Sequence, residues 1–191
     1  MPPKPYDRTT YDGNTVDWLT RAALEATAKR LGYDLTITQG SYNAGGVAAS
    51  AGTHDGGGVV DLAAWDHEHK VRELRRTGFA AWYRPAIPGL WPAHIHAVLI
   101  GNRRLHPTAR NQVAEYLAGR DGLASRGPDN GPRRWVGRRY HWRKGGKRIE
   151  RARDLIDQAR AALSTGIRGY AVKPTREALG MAAERLPKPP A

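Results

Sequence analysis

The sequence predicts an α+β fold in which helices flank a small antiparallel sheet and a basic, helical C-terminal extension follows. Short segments rich in β-branched and aromatic residues, bounded by glycine and proline, indicate strands. Between them lie segments whose apolar residues recur every three or four positions, as on one face of a helix. The 191 residues are 40% hydrophobic, which is enough for one core.

The first predicted elements are an arm, a helix and a strand. Residues 1–12 are rich in proline and are predicted to form an extended arm. Asn14 or Thr15 is placed to cap a helix that ends at Gly32, where glycine accepts the left-handed conformation of a helix end. Residues 35–38 then alternate between apolar and polar side chains, as in a strand.

A long glycine-rich loop follows. Residues 40–58 contain seven glycines, and loops of this length are usually functional or disordered. The loop leads into a predicted strand at residues 59–63. A helix is predicted over residues 66–77, with Gly78 at its end.

The next segments complete the predicted sheet. Residues 79–83 are predicted to form a strand, and residues 85–92 connect it to a strand at 94–100. Residues 107–117 form an amphipathic helical pattern. Residues 119–132, rich in Gly, Asp and Asn, are predicted to form a loop.

Four polar residues, on two of these strands and in the glycine-rich loop before the first of them, form a candidate metal site. His54 and Asp61 lie seven positions apart across a glycine run, and His94 and His96 are two apart. Side chains alternate across a strand, so His94 and His96 point to one face. If the two strands pair, His54, Asp61 and His96 converge, and two imidazoles with one carboxylate are typical of catalytic zinc. The residues alone leave open a structural role for these histidines.

Other histidines and aromatic residues offer rival interpretations. His67 and His69 are also two apart, but on a helix they face away from each other, so we interpret them as solvated. His106, just before a helix, is interpreted as structural. Three aromatic residues near the candidate ligands are as typical of a core as of a cleft wall: Trp82, Tyr83 and Trp91.

The motifs resemble the superfamily of lysostaphin-type, D-Ala-D-Ala carboxypeptidase-type and hedgehog-type zinc domains. The first motif of these domains is a His, two residues, a Gly, three residues and an Asp, which falls here on His54, Gly57 and Asp61. A later His completes the site, in some members within a His-x-His strand, here His94 and His96. Within the superfamily, the chain is most similar to the D-Ala-D-Ala carboxypeptidase-like peptidases of peptidoglycan.

The same segments are similar to a group of actinobacterial and actinophage cell-wall proteins. That group carries a Gln-Gly-Ser-Tyr turn, here residues 39–42, and a His-Ile-His-Ala strand, here residues 94–97. The resemblance covers roughly residues 15–133. It implies zinc bound by His54, Asp61 and His96, and an endolysin-like peptidase that hydrolyses peptidoglycan peptides.

Two departures from the resembled pattern bear on catalysis. The peptidases usually carry a Glu or Asp three positions before the last zinc ligand, where this chain has Ala93. Their Arg for a substrate carboxylate has no clear equivalent in residues 39–42. In some of these families the first His of His-x-His assists the water, which makes His94 the candidate catalytic residue. The alternative is a non-catalytic cell-wall-binding or virion structural module that retains the metal site.

The charge is concentrated in the last third of the chain. Residues 126–191 hold 17 Lys/Arg and 6 Asp/Glu, which gives +11 of the total +13. We therefore predict a metallopeptidase-like domain over residues 1–132 and a basic extension over residues 133–191, with helices at 149–163 and 174–186. Such charge favours anionic cell-wall polymers or nucleic acid. A solvated basic face without a partner also fits. Oligomeric state does not follow from the sequence.

Cysteine usage and the N-terminus limit the chemistry and the location. Without cysteine, any metal ligands must be side chains such as His and carboxylates. No apolar run is long enough to span a membrane, and the first residues lack the apolar core of a signal peptide. With the resemblance, this predicts a phage-encoded protein that moves from the host cytoplasm to the cell wall, or a virion component.

Overall fold

A computed structural model describes residues 3–132 and 139–142, which belong to one compact unit, Met1–Trp142. The described part is α+β, with two small antiparallel sheets, and confirms the predicted fold class. The strands are β1 (Arg8–Tyr11), β2 (Asn14–Asp17), β3 (Ile37–Gln39), β4 (Val59–Ala63), β5 (Phe79–Arg84) and β6 (His94–Leu99). The helices are α1 (Trp18–Leu31), α2 (His67–Thr77) and α3 (Pro107–Leu117), with a 3-10 turn at Ala48–Ser50.

The N-terminal segment is a hairpin, so the prediction of an extended arm was wrong. Strands β1 and β2 pair in register across Asp12 and Gly13, both of which have positive φ. Such a pair of left-handed residues forms the two-residue turn that matches the twist of a hairpin, and Asp-Gly is a preferred sequence for it. The dipeptide was the missed signal.

Helix α1 begins later than predicted. Residues Asn14 and Thr15 belong to β2, and the N-cap is Asp17. The buried Asp17 carboxylate accepts hydrogen bonds from the backbone N and the side-chain Oγ1 of Thr20, at 2.8 and 2.7 Å. This satisfies a backbone donor that the helix itself leaves free. The predicted end at Gly32 is confirmed by its left-handed conformation.

The second sheet has the order β3-β4-β6-β5, and every neighbouring pair is antiparallel. Its register places residues from three strands in rows. One row holds Asp61, His96 and Trp82, and the next holds Ala63, His94 and Arg84. Residues two apart on a strand share a face, so both rows lie on the same side of the sheet.

The two faces of this sheet differ in chemistry. One face carries the main core, which α1 and α2 cover with side chains such as Leu24 and Leu74. The other face is apolar only at one end, where Val59, Val98 and Trp82 pack against α3. Farther along the same face, apolar residues give way to the two polar rows. These two rows contribute to the wall of a cleft that α3 also lines.

The loop after α3 is fixed to the body by a buried ion pair. The guanidinium of Arg75, on α2, donates to both carboxylate oxygens of Asp129 at 2.9 Å and to the carbonyl of Ala81. In the same loop, the carbonyl of Arg120 accepts from the indole N–H of Trp82. These contacts hold the loop beside the polar half of the sheet.

Most of the predicted basic extension lies outside the described residues, including the helices at 149–163 and 174–186. Two aromatic residues of this extension, Tyr140 and Trp142, are described, and both pack partly buried against the main core. Within the described ranges, no helix combines the length and apolar character that crossing a membrane requires.

Candidate metal centre

Three side chains named from the sequence lie together on the polar half of the sheet. His54, Asp61 and His96 each offer a ligand atom, and these atoms lie within 4.8 Å of one another. Nε2 of His54 lies 3.3 Å from Asp61 Oδ1, and Nδ1 of His96 lies 2.8 Å from the same oxygen. All three residues are buried, with exposed fractions of 1%, 9% and 6%. In the described part of the chain, no other group of three such residues could hold a metal ion.

The loop before β4 brings His54 to the sheet. Backbone hydrogen bonds join the start of the loop to its end: Asn43 donates to the carbonyl of His54, and Tyr42 donates to the carbonyl of Gly56. Gly57 permits close packing, because a Cβ there would lie 2.5 Å from Asp17 Oδ2 and 2.5 Å from the Tyr42 hydroxyl. The glycine of the sequence motif is thus required by sterics beside the first candidate ligand.

A backbone carbonyl sets the tautomer of His54. Nδ1 of its ring lies 2.8 Å from the carbonyl oxygen of Gly40. A carbonyl oxygen only accepts, so Nδ1 carries the proton and donates it. In the neutral imidazole, Nε2 then has a lone pair, and this is the atom that faces Asp61.

Gln112, on α3, sets the tautomer of His96. The Gln112 amide nitrogen donates to the carbonyl of Gly122 at 3.3 Å, so its Oε1 is the atom that faces His96 Nε2, at 2.9 Å. Nε2 of His96 is thus placed to donate to Gln112, which leaves Nδ1, hydrogen-bonded to the Asp61 carboxylate at 2.8 Å, as the nitrogen that would ligate a metal. Burial lowers the pKa of His96, although Asp61 acts in the opposite direction, which favours the neutral ring.

The cluster therefore brings three potential ligand atoms close together. Burial by itself would raise the pKa of Asp61, but contacts with His54 and His96 hold it below its usual range, so the group is a carboxylate. The ring nitrogens that contact the carboxylate are the atoms that would ligate a cation if it took the place of the protons in these contacts. A carbonyl acceptor behind each ring is also the arrangement that orients metal-ligating histidines. This buried His-His-Asp cluster can hold a metal ion.

His94 lies beside the cluster without joining it. Its Nδ1 lies 2.7 Å from the carbonyl oxygen of Pro92 and therefore donates. In the neutral ring Nε2 then has the lone pair, and this atom lies 3.9 Å from Asp61 Oδ2. The predicted catalytic residue thus presents a proton acceptor near the candidate metal ligands.

The cluster forms part of the wall of an open cleft of about 1100 Å³. Side chains from the glycine-rich loop, the β5–β6 connection and α3 line it, including Val47, Leu90, Trp91 and Asn111. Val47 and Leu90 are 40% and 50% exposed. A cleft of this size accommodates a short peptide or a ligand of similar bulk.

The rival histidines lie elsewhere. His67 stacks on the ring of Tyr83 at 3.9 Å, and His69 lies 3.3 Å from Asp66. His106 caps α3 and accepts from the backbone N of Thr108, as its structural interpretation predicted. None of them belongs to a cluster that could hold a metal within the described ranges.

Two cleft residues were not identified from the sequence. Gln112 lies on α3, where its place in an amphipathic pattern gives no sign of contact with a histidine. Arg84 ends β5 opposite His94, a position that becomes visible only once the strand register is known.

No known protein family, curated protein or solved structure shows a significant match to this chain. The class of protein therefore rests on fold and site. It is an α+β protein whose small antiparallel sheet carries, at the wall of an open cleft, a buried His-His-Asp cluster that can hold a metal ion.

Proposed function

We propose that this protein is a zinc-dependent hydrolase that cleaves peptide bonds in peptidoglycan. The observation that carries the proposal is the orientation of His54 and His96. Each ring contacts a carbonyl oxygen through one nitrogen and presents its other nitrogen to Asp61, in a cleft open to a substrate.

Zinc suits this set of donors. Two imidazole nitrogens and one carboxylate oxygen, with no thiolate available, match the three protein ligands of catalytic zinc sites, which leave one position for water or substrate. When bound there, zinc supplies a Lewis acid that polarises a carbonyl and lowers the pKa of a water molecule to about 7.

The protein's own residues then position the substrate and move the proton. Because Nδ1 of His94 donates to Pro92, Nε2 is the nitrogen that accepts the proton from the attacking water and returns it to the leaving amine. No carboxylate is available for this role at Ala93. The other carboxylate of the cleft wall, Glu115, is engaged by Arg126 at 2.7 Å and Arg120 at 3.4 Å.

The choice of peptidoglycan is supported by the resemblance of two motifs. The His-to-Asp motif and the His-x-His strand are similar to those of peptidoglycan peptidases, and here they meet on paired strands. The basic extension, outside the described residues except for 139–142, is predicted to hold the enzyme on anionic wall polymers.

A second candidate is a wall-binding or virion module that keeps the metal and does not cut. Ala93 favours it, because the carboxylate that usually deprotonates the water is missing. In that case His94 acts only as a hydrogen-bonding group for the bound peptide.

Metal content and wall lysis, measured on the same samples, test both candidates. The purified protein is compared with His96→Ala and with His69→Ala, a control histidine outside the cluster. We expect about one zinc per chain in the parent and in His69→Ala, and lysis of purified peptidoglycan by both. His96→Ala should lose metal and lysis together. Metal without lysis selects the binding module, and a parent protein that binds no metal refutes both.

A further inference from the structure

Strand β5 forms one edge of the four-stranded sheet, and the register shows which of its backbone groups face outward. Ile100 donates its backbone N–H to the carbonyl of Gly78, the residue before β5. In an antiparallel pair, every second residue bonds to the neighbouring strand. Residues 80, 82 and 84 therefore bond to β6, whereas residues 79, 81 and 83 direct their N–H and C=O groups away from the sheet.

Packing closes this edge as far as Ala81 and leaves it open at Tyr83. Phe79 and Ala81 are fully buried, and the Ala81 carbonyl accepts a hydrogen bond of 2.9 Å from Nε of Arg75. Tyr83, by contrast, is 36% exposed. Within the part of the chain that the structure describes, neither its backbone N–H nor its carbonyl has a hydrogen-bond partner. One donor and one acceptor are therefore available at this point of the edge.

The opposite edge, strand β3, is closed by contacts that Tyr83 lacks. Ile37 is the outward-facing residue there, and its N–H donates to Oδ2 of Asp12 at 2.8 Å. Its carbonyl accepts from Nδ2 of Asn14 at 3.1 Å. Two side chains of the β1–β2 hairpin thus take the place of a further strand. Because an unpaired edge is a template for another chain, proteins usually cover it in such a way, and the open edge at Tyr83 departs from that pattern.

The open edge lies in a groove of about 580 Å³. Its walls come from both sides of β5, with Val71 and Arg72 of α2 on one side and Arg84 of the polar rows on the other. Arg84 and Trp91 line both this groove and the cleft that contains the metal cluster. The groove therefore continues the cleft past the edge of the sheet.

We propose that the edge of β5 at Tyr83 binds an extended peptide, which adds to the sheet as a short further strand. Both backbone groups of Tyr83 bond to the peptide backbone, and the peptide side chains alternate between the two walls of the groove. The added strand lies two strand spacings, about 9.6 Å, from β6, a distance that about three extended residues span. One peptide can therefore occupy both the groove and the cleft. Its identification with the substrate rests on the proposed function, whereas the binding of peptide backbone at Tyr83 does not.

Nuclear magnetic resonance titration of the full chain measures this binding, with a chelator present so that no metal contributes. The probe is acetyl-tetraalanine amide, and its control is the same peptide with every alanine N-methylated. The Tyr83 amide should exchange rapidly with solvent in the free protein and become protected when the probe binds. The N-methylated control should bind about fivefold more weakly, as the loss of one hydrogen bond provides.

Two substitutions separate the backbone of Tyr83 from its side chain. Tyr83→Ala and Tyr83→Pro both remove the ring that stacks on His67, but only proline removes the backbone N–H. Proline is tolerated on an edge strand where that N–H faces away from the ladder. Tyr83→Pro should therefore bind the probe about fivefold more weakly than Tyr83→Ala. If Tyr83→Pro does not fold, amide exchange and the N-methylated control decide.

The outcomes distinguish this inference from the proposed hydrolysis. Equal affinity of the two variants, or a Tyr83 amide that the probe does not protect, overturns the inference even if peptidoglycan is lysed. A Tyr83 amide that is already protected in the free protein also overturns it. Binding that depends on the Tyr83 N–H in a protein that lyses nothing supports the edge site and assigns it to a peptide-binding module.

Discussion

The ion pair between Arg75 and Asp129 provides a sharp test of what fixes the cleft. Both side chains are buried, with exposed fractions of 0% and 2%. Asp129→Asn keeps the shape and one acceptor oxygen but removes the charge that neutralises Arg75. Loss of one partner of a buried pair costs about 3–5 kcal/mol. Because the carbonyls of Ala81 and Pro132 still accept from Arg75, we expect a loss at the lower end, about 3 kcal/mol.

Urea unfolding of the full chain, followed by tryptophan fluorescence and circular dichroism, measures this loss. The matched control is Glu25→Gln, which breaks the exposed pair between Arg21 and Glu25, with exposed fractions of 34% and 52%. That pair should contribute only about 0.3–0.5 kcal/mol. If the two variants differ in unfolding free energy by less than about 1 kcal/mol, the ion pair does not fix the loop as described.

Two further predictions concern the candidate ligands. Gln112→Leu removes the acceptor behind His96, so zinc affinity should fall about 10–100-fold in a chelator competition; unchanged affinity would show that this contact does not orient the ring. Gly57→Ala places a methyl group 2.5 Å from Asp17 Oδ2 and from the Tyr42 hydroxyl. The substitution should displace the loop that carries His54 and so lower both the melting temperature and the zinc content. A variant with parental values for both would contradict the steric argument.

Strand periodicity made much of the metal cluster predictable. Alternation placed His94 and His96 on one face, and the β-branched residues before and after Asp61 indicated a strand. A single further assumption, that the two strands pair, brings Asp61 opposite His96, and the register shows this. Strand pairing does not place His54 near Asp61, because the position of His54 depends on how the glycine-rich loop folds back on itself.

The residues that the sequence did not reveal act through tertiary contacts. Gln112 reaches His96 only because α3 packs across the sheet, and its partner is 16 positions away. Arg84 is an ordinary polar residue at a strand end until the register places it opposite His94. The missed hairpin was different, since its Asp12-Gly13 turn is a local signal.

The polar rows of the sheet lie directly beside a row of apolar residues that pack against α3. Val59 and Val98 lie two residues from Asp61 and His96 on the same face, and there they pack against α3. Apolar residues in the next row would extend that cluster and avoid burying a carboxylate. Buried ionic groups of this kind are often no more stable than the apolar residues that could replace them. The fold instead keeps two imidazoles and a carboxylate there, with an oxygen acceptor behind each ring, and this cluster can hold a cation.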